Sequence, residues 1–149
     1  MLHKKFGNIG LLCFVFFICT SNVNAQDMLT VIGNNKGVPA QMRMNQLVSV
    51  LRGERQRWSD GTKVVIALMK TNTPVGMVTL RKVYNMTENE FNKKWLALVF
   101  QGKADAPTFF NSVTELENFV SQTPGAIGIL NSVSNNSTRS ITVEGKKGI

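Results

Sequence analysis

The sequence predicts an α/β domain: a small mixed sheet flanked by helices. Three observations carry this. Short β-rich apolar runs recur at residues 28–33, 64–69, 126–130 and 140–143. Between them, apolar residues repeat at helical spacing, and two of these stretches open on Ser/Thr-x-x-Glu, the signature of a capped helix start. Strands and helices alternate early, helices accumulate in mid-chain, and strands return, an order that suits an α/β domain with a mixed sheet.

Taken in order, Met28 to Gly33 reads as a buried strand and Asn34 to Pro39 as loop chemistry. Met44, Leu47, Val48 and Leu51 fall at i, i+3, i+4 and i+7, one face of a helix that Gly53 stops. Arg55 to Gly61 is a loop closed by an Asp60-Gly61 turn. Val64 to Met69 is continuously apolar, as in a strand covered on both faces. Thr73 and Pro74 suit the N-cap and first position of a helix carrying Val75, Val78 and Val83. Thr87 and Glu90 form a capping box before a helix that presents Phe91, Trp95, Leu98 and Val99 on one face. Ser112 and Glu115 form a second box, before Val113, Leu116, Phe119 and Val120. That helix stops ahead of Pro124. Ala126 to Leu130 is a strand, Asn131 to Thr138 a polar loop, Ser140 to Val143 a last strand, and Lys146 to Ile149 a frayed tail. There is no internal repeat and no linker.

The first 25 residues read as a cleaved signal peptide. Lys4 and Lys5 precede the apolar run Leu11 to Cys19, which is too short to span a bilayer, and Val23-Asn24-Ala25 fits a cleavage site before Gln26. Removing 25 of the 149 residues leaves 124, enough for one domain held by an ordinary hydrophobic core. Cys13, Cys19 and His3 leave with the signal, so disulfides, Cys/His metal sites and Cys- or His-based catalysis are excluded from the mature chain. Lys4 and Lys5 leave too, while all nine acids stay, so the formal charge of +8 becomes +6. That balance suits an anionic partner or simple solubility. The cations are scattered without interleaved aromatics, which argues against nucleic acid. After signal removal no segment spans a membrane.

Enzymatic function is not expected. Glu88, Glu90, Glu115 and Glu117 are placed by the helix macrodipole, Asp60 lies in a turn and Asp105 in a loop. No cofactor is implied. Asn85, Asn135 and Asn136 match glycosylation acceptors and are read as chance matches.

Three glycine-anchored segments remain: Leu51-Arg52-Gly53 running on to Trp58 and Asp60-Gly61; Phe91 and Trp95 leading to Phe100-Gln101-Gly102; and Thr123-Pro124-Gly125-Ala126-Ile127-Gly128. In this order they resemble one lobe of the phosphate-binding protein family of ABC importers, a branch of the type II periplasmic solute-binding fold. The resemblance covers residues 28–131 and implies a periplasmic or otherwise exported solute-binding-like domain over residues 26–149. The glycines and Trp58 are read as structural, with the indole N–H finding one acceptor.

The family holds its anion where a strand enters a helix through Arg-x-x-x-Ser-Gly-Thr. Backbone amides and hydroxyls there meet the phosphate oxygens at a positive helix end. The matching stretch here is Met69-Lys70-Thr71-Asn72-Thr73-Pro74-Val75, with Thr73 at the serine, Met69 at the arginine, Pro74 at the glycine and Val75 at the threonine. The resemblance therefore points to Lys70, Thr71, Thr73 and Val75 as an oxyanion site, with Lys70 supplying a point charge instead of a bidentate fork. Full-length family members close two lobes around the anion. Two functions follow: weak phosphate or oxyanion binding linked to an ABC phosphate importer, or a ligand-free interaction module of the cell envelope that contacts another envelope protein or a second copy of itself.

Overall fold

Thr73 turns the chain out of a strand and into a helix, and the sheet is organised around such junctions. The computed structural model describes residues 28–134 and 138–149. The expected signal over residues 1–25, with His3, Cys13 and Cys19, and the sites at Asn135 and Asn136 lie outside the described residues.

The elements are β1 Thr30–Gly33, β2 Gln41–Met42, α1 Met44–Leu51, β3 Val65–Met69, α2 Pro74–Thr79, a π-helical segment Leu80–Tyr84, α3 Glu88–Phe100, β4 Thr108–Phe110, α4 Val113–Gln122, β5 Ala126–Leu130 and β6 Arg139–Val143. The sheet is mixed and six-stranded, in the order β2-β6-β1-β5-β3-β4. β3 runs parallel to both β4 and β5, and β2 parallel to β6. β1 runs against β5 and β6. Five strands therefore point one way, and β2, β3 and β4 each feed a helix at the same edge of the sheet.

Two hydrophobic clusters cover the two faces. One gathers Leu47, Leu51, Trp58, Tyr84, Phe91 and Trp95 over Ile66, Leu68, Ile127 and Ile129. The other seats Leu116 and Val120 of α4 on Ala67, Met69, Ala126 and Leu130. Successive residues of β3 and β5 alternate between the clusters, which is why both runs are continuously apolar. Trp58, expected to pack on the sheet, does so, and its indole N–H donates to the Gly125 carbonyl at 2.9 Å.

Several expectations are corrected. Two short strands, β2 and β4, were not legible, since two or three residues give no period to read. The helix from Pro74 is α only to Thr79 and then widens to π, ending at Asn85 in the left-handed region with φ 50°. Met44 and Val99 are exposed, and Val50 takes the core place of Met44. Val99 lies about 100° around the helix from Leu98 and about 80° from Phe91, at the margin of the buried face. The box at Ser112 is half formed: its hydroxyl accepts from the Glu115 N–H at 3.2 Å. The tail is not frayed, because Ile149 and Leu29 exchange backbone hydrogen bonds of 2.8 and 3.1 Å. Glu117 is not a helix-start acid; it lies in the second turn of α4 and is fully buried.

Candidate functional site

The loop from Lys70 to Val75 joins β3 to α2 at the edge where the parallel strands end. Ligands of open α/β sheets lie outside such strand ends. The Lys70 N–H donates to the Phe110 carbonyl at 3.0 Å, which fixes the loop beside the end of β4. The Lys70 carbonyl accepts from the Thr73 N–H at 2.9 Å and from the Thr73 hydroxyl at 2.7 Å. That hydroxyl in turn accepts from the Gly76 N–H at 3.1 Å. Thr73 is thus the expected N-cap, and both hydroxyl functions are in use. Pro74 has no N–H to offer.

The structure brings Lys70, Thr71, Thr73 and Val75 onto one loop but gives them different surroundings. The Lys70 side chain is exposed. The Thr71 hydroxyl donates to the Glu88 carboxylate at the start of α3. Val75 is half-buried and packs against both core clusters, so its side chain belongs to the interior. Lys70, Thr71, Asn72, Glu88, Asn92 and Phe109 line a shallow depression of about 320 Å³. One lysine and one glutamate share it.

Gly76 is the residue at this junction that sequence reasoning missed. A Cβ there would lie 2.0 Å from the Lys70 carbonyl oxygen, so only glycine lets α2 start this close to β3. The signal was a glycine in the first turn of a helix, where propensity disfavours it.

Two further acids at the same edge were also missed as site groups. The Glu117 carboxylate accepts from the Ser134 N–H at 2.7 Å and from its hydroxyl at 2.5 Å, tying down the loop after β5. The Glu144 carboxylate, just past β6, accepts from the Met44 N–H at 2.8 Å, at the first residue of α1. Donors at a helix start and in a strand-end loop are what an oxyanion would use. Here Glu88, Glu117 and Glu144 already occupy them. Among the described residues no group of three or more acids, histidines or cysteines could hold a metal.

The glycine segments sit elsewhere. Gly125 precedes β5 at the opposite edge, some five strand residues or roughly 16 Å from the β3–α2 loop. Its N–H donates to the Lys36 carbonyl at 2.7 Å, its φ is +75°, and a Cβ would lie 2.1 Å from the Lys63 carbonyl oxygen. These residues hold the frame and touch no ligand edge.

This frame matches solved structures. An ABC-type phosphate transport receptor from Vibrio cholerae superposes with a TM-score of 0.63 at 13% identity, over 82% of this chain and 48% of the receptor. PstS from Borrelia burgdorferi does so at 0.60 and 16%, over 80% of this chain and 48% of its own. The fold is that of a phosphate-receptor lobe. The chain spans about half the length of these receptors. No family model matches the sequence, and no curated protein matches it. No helix among the described residues is long and apolar enough to cross a membrane. The lobe keeps the receptor architecture at identities where only the fold carries over.

Proposed function

We propose that the protein is an exported solute-binding-like lobe that has kept the receptor scaffold and works as an interaction module of the cell envelope, without gripping a ligand. The observation that carries this reading is an edge whose donors are already taken by the protein's own carboxylates. Glu88 takes the Thr71 hydroxyl, Glu117 takes Ser134, and Glu144 takes the start of α1. An incoming phosphate would have to displace these carboxylates and would meet their charge. The reading assigns no catalytic residue and no cofactor. Export rests on residues 1–25, and N-terminal sequencing of the exported protein is expected to begin at Gln26.

A second reading, weak phosphate or oxyanion binding by Lys70, Thr71, Thr73 and Val75 in the service of an ABC phosphate importer, is favoured by one observation. Lys70 places an exposed cation at the end of β3. Titration calorimetry with phosphate and sulfate at low salt separates the two. The interaction reading expects no heat at millimolar anion for the wild type. It also expects a measurable signal in Glu88→Ala, which removes the carboxylate and with it the acceptor of the Thr71 hydroxyl. Heat in the wild type that disappears in Lys70→Ala would establish the second reading instead.

A further inference from the structure

We draw no further inference here: the strongest candidate, the surface patch on α3 where Leu96, Val99 and Phe100 stand exposed on a helix that also carries Glu88, Glu90, Lys93 and Lys94, carries none, because nothing in the structure shows what covers it.

Discussion

Gly76→Ala sets two physical effects against each other with opposite signs. By intrinsic propensity, alanine in a helix is better than glycine by about 0.8–1 kcal/mol, so a reading of local sequence expects stabilisation. The structure expects the reverse. The new Cβ would lie 2.0 Å from the Lys70 carbonyl oxygen, 2.7 Å from its carbon and 3.0 Å from the Met69 oxygen, all backbone atoms that cannot rotate away. Restoring an ordinary separation of about 3.5 Å requires α2 and the end of β3 to part by roughly 1.5 Å. That movement breaks the Thr73 contacts to the Lys70 carbonyl, at 2.9 and 2.7 Å, and strains the Thr73–Gly76 cap. Overpacking of this kind costs about 1–3 kcal/mol, and each hydrogen bond lost about 0.5–1.5 kcal/mol. Against a gain of about 1 kcal/mol, the net is a destabilisation of about 2 kcal/mol. Urea unfolding followed by tryptophan fluorescence is expected to show a midpoint lower by about 1–2 M with the slope unchanged. A midpoint equal to or above that of the wild type would refute the claim that close approach, and not helix propensity, selects glycine at this junction.

Two other perturbations probe the frame. Gly125 and Gly102 both have positive φ, +75° and +63°, but only Gly125 is crowded, with the Lys63 oxygen 2.1 Å from a would-be Cβ. Gly102→Ala is expected to cost about 1–2 kcal/mol from backbone strain. Gly125→Ala should cost at least about 2 kcal/mol more, because the Trp58 bond to its carbonyl is disturbed as well, and equal losses in urea unfolding would contradict this. Glu90 supplies a pH dependence. The backbone N–H of Thr87, and then its hydroxyl, hold the Glu90 carboxyl below the usual glutamate range. A lowered folded value means the contribution is fully present above the ordinary glutamate pKa of about 4.3 and fades as pH falls through the lowered one. The stability difference between wild type and Glu90→Gln is therefore expected at neutral pH and to shrink below about pH 4, and a difference constant from pH 7 to pH 3 would count against it.

The sequence by itself determined what is local. Thr73-Pro74 and Thr87-x-x-Glu90 act within one turn, so their caps were legible and are formed. The continuous apolar runs of β3 and β5 followed from burial on both faces, and Trp58 and Gly125 carried the frame by residue type alone. The resemblance to a receptor lobe stood on such signals and matches the observed architecture. Tertiary structure alone decided the character of the candidate site. Glu88 reaches Thr71 across 17 residues, Glu117 reaches Ser134 across 17, and Glu144 reaches Met44 across 100. Those pairings exist only once the strands have closed in register, because a helix-start acid and an acid folded onto another segment look alike in a linear sequence. The same holds for Gly76, whose neighbour is a carbonyl brought close by packing, and for Val99, whose exposure depends on how wide an arc of α3 the sheet can cover. Short-range hydrogen bonding and periodicity set the elements. Which polar groups are already matched, and which apolar face is left open, is set by the three-dimensional meeting of segments far apart in the chain.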